Sequence, residues 1–195
     1  MTLPYEAMRN ATVTTIAPTG TLSLIAGVSS GIEPLFAVAY ERQALDNQIL
    51  PEVNRHFIER AKASGLDVGA LQPKLKQQGS IQDLTDIPQA LRRVFVTAFD
   101  VPPDWHVRIQ AAFQCYTDNA VSKTVNLPSH ATVEDICHLI CLALHMHCKG
   151  ITVFRDGSRD EQVLYRDRVP AMGRHGTAWR DGRRPGMPEY ARRGL

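Results

Sequence analysis

With 195 residues, 44% apolar and 22% charged, the chain has the composition of a globular protein and the length to bury a core. No apolar run reaches the roughly 18 residues of a membrane span and residues 1–10 lack the apolar centre of a signal peptide, so the expected compartment is the cytoplasm and no membrane partner is expected. The net charge of +2 hides an asymmetry: from Arg166 onward eight arginines face only Asp167, Asp181 and Glu189.

Residues 12–17 are rich in β-branched side chains and predict a strand. Pro18 and Gly20 break it, and residues 21–26 can open a short helix. Strand, turn and helix start together make an anion cradle. Gly20 lets a ligand approach the backbone, Thr19, Thr21 and Ser23 offer hydroxyls, and the first helical amides point at the guest, for which phosphate is the natural choice. The same residues also suit an ordinary helix start whose hydroxyl bonds its own helix amides. Taken alone, they leave both readings open.

Beyond Pro34, residues 35–44 start with strand-like composition and re-enter a sheet. Pro51 is expected to open a helix over 52–64, with Val53, Phe57, Ile58 and Ala61 at helical spacing and Gly65 as its stop. A weaker helix over 70–78 ends at Gly79, and Ile87–Pro88 starts a third that continues through residues 92–99. Pro102, Pro103 and Asp104 begin the strongest helix, with Trp105, Ile109, Ala112, Phe113, Tyr116 and Ala120 as an apolar stripe expected to face the core. Residues 122–127 form a strand closed by Pro128. Thr132 and Asp135 make an acidic capping box for a helix over 133–148 that Gly150 stops, and 151–154 are a final strand. Helices alternating with short strands argue an α/β fold. Residues 1–165 read as one folded region and 166–195 as an Arg/Gly/Pro-rich tail expected to be disordered.

Several eye-catching residues have plain readings. Cys137, Cys141, His145 and Cys148 lie along one helix, which cannot close a tetrahedron around a single ion, so no metal site is expected and the cysteines read as reduced, buried, small apolar groups. Glu33 reads as a structural residue that orients loops or caps a helix, and Asp118 and Asn119 as helix-end residues. The arginine tail lacks a folded reader of nucleic acid and is expected to be solvated.

The runs Arg9-Asn10-Ala11, Ala17-Pro18-Thr19-Gly20-Thr21 and Ser30-Gly31-Ile32-Glu33-Pro34 resemble the large subunit of ribonucleotide reductases, most of all the adenosylcobalamin-dependent class. So do residues 93–98, 105–114, 116–124 and 148–158, in the same order, so that the resemblance covers about residues 9–164. It implies the C-terminal part of the reductase's ten-stranded α/β barrel, incomplete on its own. It also implies that Pro18, Thr19, Gly20, Thr21, Leu22 and Ser23 hold the diphosphate or triphosphate of a ribonucleotide substrate. In that family a thiyl radical generated with adenosylcobalamin starts the reduction, and a dithiol system completes it. No cysteine here sits in the family's Asn-x-Cys-x-Glu motif, and none follows Cys148. The chain is therefore expected to carry no catalytic residue and to need the N-terminal half of the reductase as partner. Residues 151–154 carry no tyrosine, which disfavours the radical relay of the iron-dependent class. The alternative is a noncatalytic remnant that binds phosphate or nucleic acid.

Overall fold

The computed structural model describes residues 9–43, 49–158 and 164–165. In chain order these form α1 (Gly20–Ala26), β1 (Ala39–Gln43), β2 (Ile49–Val53), α2 (Arg55–Ala63), α3 (Val68–Gln78), α4 (Gln89–Val94), α5 (Pro103–Gln114), β3 (Thr124–Leu127), α6 (Val133–His145), β4 (Thr152–Arg155) and β5 (Leu164–Tyr165). The expected tail, 166–195, lies outside the described residues.

The alternation of residues 121–127 turns Val121, Lys123, Val125 and Leu127 inward and leaves Ser122, Thr124 and Asn126 on the other face. β3 pairs in parallel with β4, Thr124 opposite Thr152 through Leu127 opposite Arg155, and α6 makes the crossover between them. Leu139 and Ala143 of α6, with Val107 of α5, close a core over Val125 and Leu127. Thr132 and Asp135 form the expected reciprocal capping box. α6 ends earlier than expected, because His147 adopts φ 58° and the Cys148 amide turns back to the Ala143 carbonyl.

A second core joins Val38 and Ala39 to Phe57, Ala61, Leu71 and Leu75 of α2 and α3 and to Ile81, Ile87, Leu91 and Phe95 around α4. Phe57 and Phe95 meet edge to face at 5.3 Å. β1 lies between β2 and β5, antiparallel to both. Among the described residues the two sheets remain separate, and no barrel closes.

Besides α6, α4 is also shorter than expected, stopping at Val94 instead of running through residues 92–99, and three further sequence expectations need correction. Residues 12–17 do not form a strand: a single parallel bridge joins Ile16 to Val121, and the Val13 and Thr14 amides donate instead to the Asp118 carboxylate at 2.9 and 3.1 Å. Asp118 is thus a clasp between distant segments. Pro51 does not open a helix; it pairs in β2 opposite Glu41, and α2 starts after Asn54, whose side chain accepts the Phe57 amide at 3.1 Å. α5 is oriented opposite to its hydrophobic pattern. It buries His106, Val107, Gln110, Ala111 and Gln114, while Trp105, Ile109, Phe113 and Tyr116 are 58, 46, 44 and 89% exposed.

That inversion follows from hydrogen bonding. The Gln110 amide donates to the Gly150 and Val121 carbonyls at 2.6 and 3.3 Å, and the Gln114 amide to the Asn119 and Thr117 carbonyls at 2.8 and 3.1 Å. The Gln114 oxygen accepts the Lys149 amide. These contacts satisfy backbone groups at the sheet ends that an apolar face would leave unpaired.

Candidate functional site

The predicted turn stands at the wall of a cavity of 910 Å³. Pro18, Gly20, Ser23 and Leu24 line one side, the loop from Gly27 to Ala37 much of the floor, Tyr40, Glu52 and Val53 of the β1–β2 hairpin another side, and Asn54, Arg55 and His56 the entrance to α2. Ser122, Thr124 and Asn126 complete the lining with the polar face of β3. The strand's alternation carried the signal for these three, but the sequence reading took the strand only as an element.

Thr19 occupies the left-handed region at φ 51° and precedes α1 without capping it. Its hydroxyl oxygen accepts the Gly31 amide at 2.8 Å, and the Ser23 hydroxyl donates to the Gly20 carbonyl at 2.7 Å. Ser23 is the first residue whose amide bonds back, to the Thr19 carbonyl at 2.8 Å. The amides of Gly20, Thr21 and Leu22 therefore have no helical acceptor, as at any helix start, and neither hydroxyl caps them. A Cβ on Gly20 would meet nothing within 4 Å. Thr19, Thr21 and Leu22 do not line the cavity: Thr21 and Leu22 are exposed, and Thr19 is half-buried against the Gly31 loop.

Opposite the turn, Glu33 anchors the loop to β3. Its carboxylate accepts the Thr124 amide at 2.6 Å and the Lys123 ammonium at 2.5 Å. Lys123 is only 2% exposed and also donates to the Thr124 carbonyl at 2.5 Å and to His106 Nδ1 at 2.7 Å. The distance from His106 Nε2 to the Ala98 carbonyl is 2.9 Å. This geometry requires a neutral imidazole carrying its proton on Nε2. Burial, then the Lys123 charge, pushes the His106 pKa down; burial also lowers that of Lys123, against the hydrogen bond and charge of Glu33. His106 and Lys123 were not singled out from the sequence, since a polar residue among apolar ones does not reveal which buried group it meets.

The cysteines do not gather. Cys115, Cys137 and Cys141 are exposed rather than buried as expected, and Cys148 is half-buried with its thiol pKa raised by burial and then by Cys115. No group of three His, Cys, Asp or Glu side chains able to hold a metal ion occurs among the described residues.

The family model described as "Ribonucleotide reductase, barrel domain" matches residues 4–154. The chain belongs to this ribonucleotide reductase family. Its curated relatives include the vitamin B12-dependent ribonucleoside-diphosphate reductase of Thermoplasma acidophilum, 48% identical over 157 residues, and that of Mycobacterium tuberculosis, 46% identical over 156. Each match takes in 80% of this chain but only 20% and 22% of the relative, so the chain spans about a fifth of the reductases it resembles. Among solved structures, the alpha subunit of the Actinobacillus ureae class Id ribonucleotide reductase matches with TM-score 0.60 at 22% identity, covering 76% of this chain and 27% of that one. That likeness establishes the shared reductase fold.

Proposed function

We propose that this chain is the C-terminal part of a vitamin B12-dependent ribonucleotide reductase, which converts ribonucleotides to deoxyribonucleotides for DNA synthesis, and that it supplies the turn binding the substrate phosphates. The observation that carries the reading is the uncapped amide of Gly20 at the cavity wall, followed by the uncapped amides of Thr21 and Leu22, with the Thr19 and Ser23 hydroxyls bonded elsewhere. Pro18 and Gly20 keep the approach clear of side chains. A hydrogen bond to a charged phosphate contributes about 1.5–3 kcal/mol, so two donors account for tenfold or more in affinity. The substrate is a ribonucleoside diphosphate or triphosphate.

Adenosylcobalamin supplies the initiating radical when bound, and a dithiol system the reducing equivalents. The Gly20 amide, the Ser23 hydroxyl and the Arg55 guanidinium of the cavity lining suit an anion, with the Glu33 carboxylate turned to Lys123 and the Thr124 amide. Adenosylcobalamin is shared with the remainder of the reductase, and the radical cysteine belongs to that remainder, since no cysteine of this chain sits in an Asn-x-Cys-x-Glu motif. The exposed stripe on α5 supports such a partner, because a contiguous apolar face of this kind is normally covered.

The test measures deoxyribonucleotide formation with adenosylcobalamin and a dithiol, using this chain alone and a chimera in which residues 9–158 replace the matching stretch of the Thermoplasma acidophilum relative. Activity in the chimera and none in the isolated chain is expected. A folded, inactive chimera beside an active parent would overturn the proposal and favour a noncatalytic remnant.

A further inference from the structure

We propose that Glu33, held by buried Lys123 and His106, is a positioning residue that keeps the phosphate turn in its binding conformation. The inference rests on the phosphate reading above and assigns the device that orders that site.

A continuous series of contacts leads from the interior to the turn. The Ala98 carbonyl and His106 lie at one end, and His106 Nδ1 accepts from Lys123 at 2.7 Å. Lys123 directs a second proton to Glu33, whose other oxygen takes the Thr124 amide. Glu33 closes a tight turn through its own amide to the Ser30 carbonyl at 2.9 Å. Within that turn Gly31, at φ 50°, donates its amide to the Thr19 hydroxyl. A Cβ on Gly31 would stand 3.0 Å from the Ala17 carbonyl, so loop and turn touch directly.

Two features show that this is more than loop packing. A non-glycine residue at positive φ persists only where its surroundings hold it, and the Thr19 side chain is held by the Gly31 amide. A buried ammonium is costly unless its donors are all engaged, and here each of three has an acceptor. The charged pair thus secures one loop to β3, and that loop in turn holds Thr19.

The experiment titrates the full chain with inorganic pyrophosphate while recording the backbone amide resonances of Gly20, Thr21, Leu22 and Gly31. Glu33→Ala should displace these resonances in the free protein and weaken pyrophosphate binding about tenfold. Glu33→Ala/Lys123→Met, which leaves no unpaired buried charge, should restore thermal stability but not affinity. After Thr19→Ala has cut the link, adding Glu33→Ala should bring little further loss, a non-additivity that general destabilisation would not produce. Unchanged amide positions and wild-type affinity in the folded double variant would overturn the inference. If pyrophosphate leaves the wild-type turn unmoved, the phosphate reading fails instead, and the free-protein resonances still decide whether Glu33 positions the turn.

Discussion

Thr19 and Gly20 divide two tasks that are often combined in one residue. Thr19 bears the left-handed conformation, at a cost of roughly 1–3 kcal/mol, while Gly20 leaves open space above the amides. Because a Cβ at Gly20 meets no neighbour within 4 Å, Gly20→Val should leave the melting temperature of the chain nearly unchanged while reducing pyrophosphate affinity at least tenfold by calorimetry. Asp118 offers a second test. The Val13 and Thr14 amides hold its carboxyl below the ordinary range, so its clasp is complete above the unfolded pKa of about 3.9 and is lost as pH falls through the lower folded value. Hydrogen exchange at Val13 and Thr14 should accelerate over that acidic interval, and Asp118→Asn should flatten the dependence. His106 acts at higher pH. Its depressed pKa means that the unfolded chain takes up a proton first, so stability should decline as pH drops from about 6.5 toward the folded value. Denaturant midpoints should show this decline in the wild type and lose it in His106→Gln.

The elements differ in how directly their sequences report their partners. α6 follows its pattern: Leu139 and Ala143 are buried and the capping box is formed. Thr132→Ala should cost about 0.5–2 kcal/mol and Leu139→Ala about 2–5 kcal/mol in chemical unfolding. α5 inverts its pattern, and so its mutations should invert the usual ranking. Replacing Ile109 or Phe113 by Gln should change the stability of the isolated chain by no more than about 0.5 kcal/mol, as at an exposed site. Gln110→Leu, although more hydrophobic, should destabilise it by leaving the Gly150 carbonyl without its donor. A larger loss on Ile109→Gln than on Gln110→Leu would contradict the observed orientation.

For the whole molecule, the α5 stripe and Ile140 and Leu144 of α6 are exposed apolar surface, which under the proposed function the rest of the reductase would cover. The chimera should therefore remain monodisperse in light scattering under conditions where the isolated chain self-associates, and Trp105→Gln/Phe113→Gln should reduce that self-association. Much was legible before the fold was seen. The Pro-Thr-Gly-Thr run marked the turn, the short run closed by Pro128 marked β3, and the motifs along residues 9–158 marked the family, because each signal lies within a few neighbouring residues or in their order along the chain. Tertiary structure alone decided the rest. Whether residues 12–17 became a strand depended on Asp118, more than a hundred positions away, taking their amides. Which face of α5 turned inward depended on the carbonyls of Val121 and Gly150 awaiting donors. Glu33, Lys123 and His106 became one network because folding brought loop, strand and helix together; local periodicity records how apolar a face is, but not which unpaired group waits opposite it.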